Sequence, residues 1–555
     1  MAEGEALLNH VYVEIAGMAA EQVVELLGDL VALTVESSLH LPDTATLVVH
    51  DTRLHWIDDA NLEPGKAIKI SAKTGEKEHP IFDGEIVGLE PAFAPHAHQF
   101  VIRAFDRLHR LSRGRKVRSF VNVTDGDVVT KLAKEVGLKA DVGPTTRVHK
   151  YVFQNNETNL EFLRRRAAAL GYLIFVEGTT LHFKAPKADA APIELQWAAT
   201  LSEFHPTMTT MDQVAGVTVR GWDPEKRQEI VARAGEGRDT PSVGESRQGG
   251  KMAKEAFGIE ASTLAADTPI RNQAQADTLA KALAERHASR FIEADGISAG
   301  NPKIVAGTPL KISAVGTRFS GTYLVTSCRH EYGKEKTFTT HFSVSGQNPS
   351  SLLALLSEGS PPPPHRGLVV GIVTDNQDPD KLGRVKVKYP WLAPDQASDW
   401  ARVVSIGGGP ERGIGFLPEI NDEVLVGFEQ EDIHHPYVLG GLWNGVDKPP
   451  PDVTKGISGG KIQKRVIRSR VGHQITLDDT DGGGGIEIVD KGGNSVKIDS
   501  ASNSLKVKVT GDVSIEATGT IKLKANGPVE IKGMGVKADA GGGMVEVKGT
   551  MINLN

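Results

Sequence analysis

Two adjacent histidines, His434 and His435 in "EDIHHPY", are the residues of this chain best suited to hold a metal or move a proton. Neighbours on a strand point to opposite faces, so the pair reads as part of a hairpin turn, and no metal is expected. Carboxylates gather in "DPD" (378–380) and "DDTD" (478–481). A glycoside hydrolase needs two such groups several ångströms apart across a cleft, a pairing that the sequence does not show. The glycine-rich runs "IGGGP" (406–410) and "DGGGGI" (481–486) lack the Lys-Ser/Thr that completes a phosphate-cradling loop. H-E-x-x-H does not occur, and the G-x-S-x-G string stands at 296–300 and 456–460, where no nucleophile elbow is expected. Cys328, the single cysteine, has no intrachain partner and reads as a buried strand residue within "GTYLVTSCRHEY". The expectation is a protein without catalytic residues, metal or cofactor, and not an enzyme.

Composition supports a different kind of work. In 555 residues, 39% are hydrophobic and 24% charged, as in a globular protein of several domains. Sixty glycines and few aromatics suit a turn-rich β protein. The net charge of −7 argues against a general nucleic-acid binder. The basic run "KIQKRVIRSR" (461–470) reads as a solvated edge or an intersubunit salt-bridge strip in preference to a phosphate patch. "MAEGEALLNH" carries no signal-peptide pattern, and no run of about eighteen apolar residues is present. Synthesis and assembly in the cytoplasm are expected.

The most regular feature is a repeat of eight. In "TGDVSIEATGTIKLKANGPVEIKG" (510–533), Gly511, Gly519 and Gly527 are each followed two and four residues later by Val513/Ile515, Ile521/Leu523 and Val529/Ile531. Residues two apart on a strand share a face. Each octad therefore predicts a short half-buried strand and a glycine-bearing turn. The beat continues through Gly535 and Gly543 to Val545/Val547, and begins upstream with Asn503 in a glycine position before Leu505/Val507. After Gly535 it breaks step, because Lys537 and Asp539 occupy the aliphatic positions.

Eight residues are too few to coil around a core of their own, and unpaired strand edges are an aggregation hazard. Several identical chains wound together, most simply three, satisfy both demands. The expected core is then Leu505, Val507, Val513, Ile515, Ile521, Leu523, Val529, Ile531, Val545 and Val547, with turns at Gly511, Gly519, Gly527, Gly535 and Gly543. About nine octads at ~4.8 Å per strand would make a prism roughly 40 Å long.

The segments that must carry this needle are also legible. Residues 1–115 predict a first β-barrel through runs such as "HVYVEIAG" and "TLVVHD". Residues 116–189 predict a helical and hairpin connecting domain, with helices in 126–138 and ending at Gly171, then a hairpin turning near Gly178. The run Arg164–Arg166 reads as a solvated helix face. Residues 190–356 predict a second barrel with an exposed loop at 234–251 and a helix in 270–294. "SEGSPPPPHRG" supplies a stiff proline linker at 357–366. Five strands in 367–446 suggest an OB-type barrel, followed by a connector at 447–484 and the octads at 485–555. The fold class is mainly β.

This order resembles one family, the VgrG-type spikes of contractile injection machines, in which phage hub and needle are joined in one chain. The resemblance spans the chain and is carried by "QNNETNLEFLRRRAAALGY" (154–172), "FSGTYLVTSCRHEY" (319–332), "LGRVKVKYPW" (382–391), "NDEVLVGFEQEDIHHPYVLGGLWNG" (421–445) and the octads. The lead-in "KRVIRSRVGHQITLDDTDG" (464–482) looks more like that of extracellular, phage-tail-like particles than of type VI secretion. The resemblance implies a homotrimer whose six tube-like barrels meet a hexameric tail-tube ring, above an OB collar and an intertwined trimeric prism. It further implies baseplate partners, transient contact with a target envelope, release to the outside within a particle, and a PAAR-type tip protein. The tip surface would be Gly549, Thr550, Met551, Ile552, Asn553, Leu554 and Asn555, since "GTMINLN" lacks the H-x-H of self-tipped phage spikes. No lysozyme or toxin domain is expected. The rival readings are a trimeric adhesin or tailspike, which leaves the barrels unexplained, and a cell-wall polysaccharide-degrading enzyme, which needs a cleft with paired acids.

Overall fold

The structure, a computed structural model, describes residues 11–553 except 75–76, 95–96, 186–190, 224–225, 227, 239–240, 267–268, 271, 334–337, 347–366, 391 and 393–394. The proline linker expected at 357–366 lies outside the described residues. The chain divides into two compact units, Met1–Leu442 and Trp443–Asn555.

The two barrels of the first unit share one sheet. Its order is Val11–Ile15, Ala67–Thr74, Lys77–Ala94, Ala97–Asp106, Thr44–His50, Leu30–Ser38, Ser327–Gly333, Thr339–Val344, Ile292–Ala299 and Leu201–Met208. The seam is the antiparallel pairing of Leu30–Ser38 with Ser327–Gly333, in register from Ala32 opposite Gly333 to Ser38 opposite Ser327. The sheet curls around two cores. One contains Leu33, Val35, Leu47, Val49, Ile68, Ile70, Phe100 and Ile102; the other contains Leu201, Ile292, Phe342, Tyr323 and Cys328. Alternation along each strand sends these residues inward. Cys328 is a buried strand residue, as its sequence context implies. The helix Ala20–Asp29 in the first barrel had no counterpart in the sequence reading.

On the second barrel, the sheet Gly216–Asp223, Gln228–Gly235 and Ser262–Ala265 carries the helix Gln273–Ala288. Ala276, Ala280 and Ala284, spaced by four, form its buried face and let the helix sit close. The segment 234–251 is not a plain loop. It includes the strand Ser242–Val243 and the start of the helix Gly249–Phe257, whose Gly249 and Gly250 are buried. A Cβ on Gly250 would lie 2.4 Å from the Val214 carbonyl oxygen, so glycine is required by close approach.

The connecting domain folds where its caps dictate. Thr124 and Thr158 each accept from a backbone N–H three residues on, and Asp127 and Glu161 return the bond to the threonine N–H. Gly171 ends the helix Asn159–Leu170 in the left-handed conformation at φ 67°. The hairpin Leu173–Glu177 with Thr180–Lys184 turns at Gly178, as expected.

The arginine run contradicts its sequence reading. Arg164 donates to the His40 carbonyl of the first barrel, Arg165 holds Glu157 at 2.8 Å, and Arg166 holds Asp125 at 2.6 Å. All three side chains are spent on contacts, those of Arg164 and Arg166 long-range and that of Arg165 eight residues back, so they fasten the connecting domain. Arg107 completes the fastening by donating to Asp83 at 2.8 Å and to the Gly178 carbonyl at 2.9 Å.

Beneath these arginines lies a buried acidic pair. Burial, together with the neighbouring Asp106 charge, pushes the Asp43 carboxyl well above its ordinary range. Burial pushes Asp106 up to about 7, against the N–H of Leu108 and the charges of Arg107 and Arg164. An acid whose folded pKa is raised binds its proton more tightly in the native state. Stability therefore falls as pH rises from about 4 to about 7 and is level above that. Asp106→Asn keeps the acceptor for Leu108 and removes the ionisation. The variant is expected to match the parent at about pH 3.5 and to be more stable at pH 8, by about 1 kcal/mol or more, as read from denaturant midpoints at the two pH values.

The OB barrel has the sheet order Lys386–Lys388, Val369–Asp375, Glu423–Phe428, Pro436–Gly441 and Arg402–Val403. Its core of Val373, Val385, Val387, Val424, Val426 and Val438 includes a residue from far upstream, Phe153. That ring belongs to the ribbon Lys116–Val123 with His149–Glu157, which docks on the barrel. Tyr151 Oη donates to the Ala397 carbonyl at 2.7 Å, and Gln396 Oε1 accepts from Ser119 N–H at 2.9 Å.

In the second unit, Lys464–Arg468, Gln474–Asp478, Gly485–Val489, Ser495–Asp499 and Ser504–Lys508 form a sequential antiparallel meander. The boundary drawn at 484/485 thus falls inside one sheet. The strands at 485–508 pair within the chain, whereas the sequence reading assigned their neighbours to other chains.

Candidate functional site

The residues flagged for chemistry are all absorbed into turns. Asp378 accepts from Arg384 Nη2 at 2.7 Å and Nε at 2.9 Å, and from the Leu382 N–H at 2.9 Å. The Arg384 hydrogen bond, opposed by desolvation, holds its carboxyl far below the usual range. Asp378 is thus a locked hairpin anion, unable to exchange a proton near neutrality. In "DDTD", Asp478 accepts from Thr480, Asp479 pairs with Arg465, and Asp481 lies 3.3 Å from Lys461. His434 sits in the turn before Pro436, with Nδ1 2.6 Å from Asp432 and Nε2 3.1 Å from the Phe153 carbonyl oxygen. It ties the OB hairpin to the ribbon. Burial disfavours an ionised Asp432, but the contacts with His434 and the nearby His435 outweigh it and hold the carboxyl low. Among the described residues no cluster of three or more metal-ligating side chains occurs, and no helix is long and apolar enough to cross a membrane.

What remains is a surface. In the meander, Ile475 faces Ile488, Leu477 faces Ile486, Ile486 faces Ile498, Ile488 faces Val496, Val496 faces Val507 and Ile498 faces Leu505. These pairs, with Ile467, build one continuous apolar face whose members are 39 to 66% exposed. The opposite face carries Glu487, Lys497 and Lys506. Beyond residue 508 the alternation continues, but among residues 509–553 no hydrogen-bonded strand forms within the chain. Val513, Ile515, Ile521, Leu523, Val529, Ile531, Val545 and Val547 are 52 to 78% exposed. The half-buried strands expected there are absent from the single chain, because a strand without a neighbour has neither ladder nor cover. Leu505 and Val507, assigned to the prism core, lie on the intrachain meander.

The turn glycines behave differently from expectation. Gly511, Gly519, Gly527, Gly535 and Gly543 all lack a left-handed φ, whereas Asn503 has one at 48°. A Cβ on Gly511, Gly519, Gly527 or Gly535 would meet nothing within 4 Å in the chain. The need for glycine is therefore not local to one chain's backbone. At the C-terminus, Gly549–Asn553 form no strand, with Met551 and Ile552 exposed; Leu554 and Asn555 lie outside the described residues.

Sequence reading missed a second apolar surface. Ile406, Ile414, Phe416, Leu417 and Ile420 are exposed on the OB loop that contains "IGGGP". The signal was available, since five large apolar residues stand in a stretch rich in Gly and Pro, where no strand can bury them.

Residues 369–443 match the family described as the type VI secretion system/phage-baseplate injector OB domain. Residues 9–334, more than half of the chain, match the family described as the Alg8 N-terminal domain. The type VI secretion system spike protein VgrG5 of Pseudomonas aeruginosa is 40% identical over 75 residues, 13% of this chain and 10% of that protein. VgrG2a of the same organism is 26% identical over 121 residues, 21% of this chain and 14% of that protein. The aligned stretches thus span a small part of these relatives' length. A Francisella PdpA–VgrG complex, half-lidded, matches over 91% of this chain and 89% of that chain, with TM-score 0.54 and 10% identity, a likeness of fold.

Fold, OB domain and relatives together support a likeness to VgrG-type spikes and phage-baseplate proteins. By the match over residues 9–334, the chain belongs to the Alg8 N-terminal domain family.

Proposed function

We propose that three copies of this chain form the hub and needle of a contractile injection machine. The observation that carries the reading is the uncovered aliphatic face running from Ile467 to Val547, backed by a charged one. An apolar surface of that extent is not left in water by a stable monomer. Two further copies of the same face cover it by symmetry and pair the strand edges of residues 509–553. In the trimer, the octads form a three-sided prism and the exposed OB loops a collar.

The two half-barrels of each chain give six tube-like surfaces, matching a hexameric tail-tube ring. Sheath contraction would then drive the trimer, and with it the tube, through a target envelope. Baseplate proteins hold the hub, and a PAAR-type tip protein caps Gly549–Asn555. The Francisella relative is described in complex with PdpA, which supports a protein partner for this chain too. The particle acts outside the producing cell, and the lead-in at 464–482 favours the extracellular, phage-tail-like class. The role is mechanical, without a cofactor and without nucleic acid. Negative-stain imaging tests the shape: a broad head with one thin rod is expected, and a compact particle without a rod would overturn the reading.

A further inference from the structure

We infer that the prism is phased by its bends and not by its glycines, so that Val536 and Ala538 take the core positions that strict octad counting gives to Lys537 and Asp539. The inference rests on the trimeric reading above. Bends fall at 510–511, 518–519, 526–527, 533–534, 541–543 and 550. Counted from the last residue of each bend, the residues at plus two and plus four are Val513/Ile515, Ile521/Leu523, Val529/Ile531, Val536/Ala538, Val545/Val547 and Ile552/Leu554. The rule holds without exception, whereas the glycine rule fails at Gly535. The unit from 527 to 534 is seven residues long and the next, to 543, is nine, so that pair restores the phase, and the last, to 550, is seven again.

Two independent features agree. Charges two apart pair along the polar side: Lys532 with Glu530 at 2.7 Å, Lys537 with Asp539 at 3.3 Å, and Lys548 with Glu546. Lys537 and Asp539 therefore behave as the outward pair of their unit, which leaves Val536 and Ala538 on the other side. The extra residue of the long unit is taken up at the triple glycine. Gly541 and Gly542 have φ of 52° and 101°, and the second of these favours glycine alone. The Gly541 N–H donates to Asp539 Oδ1 at 2.9 Å, and the Gly543 N–H to the Ala540 carbonyl at 2.9 Å. This turn is where a strict repeat would have placed a single glycine.

Maleimide labelling of single-cysteine variants in a Cys328→Ser background decides the matter. Val536→Cys and Ala538→Cys are each made, so that one unfolded variant does not end the test. Lys537→Cys, Ile531→Cys and Lys532→Cys complete the set. Val536→Cys, Ala538→Cys and Ile531→Cys are expected to label at least tenfold more slowly than Lys537→Cys and Lys532→Cys. Fast labelling at 536 and 538 with slow labelling at 537, while 531 stays protected, would overturn the bend phasing alone. Fast labelling at 531 as well would overturn the trimeric prism and the phasing together.

Discussion

Ile521→Asp is expected to leave the protein as separate chains. The substitution puts three carboxylates near the axis of the prism, where the parent holds three aliphatic side chains. Each unpaired charge withdrawn from water costs several kcal/mol even after relaxation, so the assembly loses roughly 10 kcal/mol in all. Lys522→Asp is the matched control, since Lys522 occupies the alternate position and its side belongs to the charged face. That variant should assemble as the parent does, with a change near 0.5 kcal/mol. Size-exclusion chromatography with a heating series reads both. An intact Ile521→Asp trimer of normal heat resistance would remove Ile521 from the core.

The second large effect is expected at Phe153. Its ring is buried among Val373, Val387, Val424 and Val438 although it belongs to the connecting ribbon. Phe153→Ala should cost about 3–5 kcal/mol by combining lost transfer energy with a cavity. The loss should fall on the OB barrel, because the ribbon keeps its own ladder while the barrel loses a wall. Hydrogen exchange in 369–443 should accelerate, with exchange in 11–106 unchanged. The backbone contact from His434 to the Phe153 carbonyl survives the substitution, so a total loss of docking is not required. Unchanged exchange across the OB barrel would show that the ring contributes nothing to its stability.

How much of this was legible follows from the range of each interaction. Local signals read well. Gly171 and Gly178 mark their turns, Thr158 and Glu161 open a helix, and the five short runs after the linker become the OB sheet. Non-local pairings did not read. Nothing in "LVALTVESS" announces that it pairs with "SCRHEYG" almost three hundred residues later and merges two barrels into one sheet. Nor does Phe153 show that its ring completes a core more than two hundred residues on. The arginine run failed in part for the same reason, since Arg166 reaches Asp125 41 residues upstream and Arg164 reaches His40 in the first barrel.

The repeat was legible in its apolar residues and misleading in its glycines. Side-chain alternation is a property of any extended strand, so the aliphatic pairs share a face where a strand forms, as they do in the meander. The glycines were read as local turn formers; Gly541 and Gly542 turn with a left-handed φ, Gly511, Gly519 and Gly527 lie in bends without one, and Gly535 lies in no bend. The first three strands of the presumed needle turned out to close their own ladder, because Asn503 and the turns before it bring them back on themselves.

The central claim is that three copies share the aliphatic face, and solution mass tests it most directly. Light scattering on the purified chain should give three times 59.4 kDa, unchanged on dilution. A monodisperse particle of 59.4 kDa with its full β-sheet signal would mean that a single chain covers its own repeat, and the spike assembly would be contradicted.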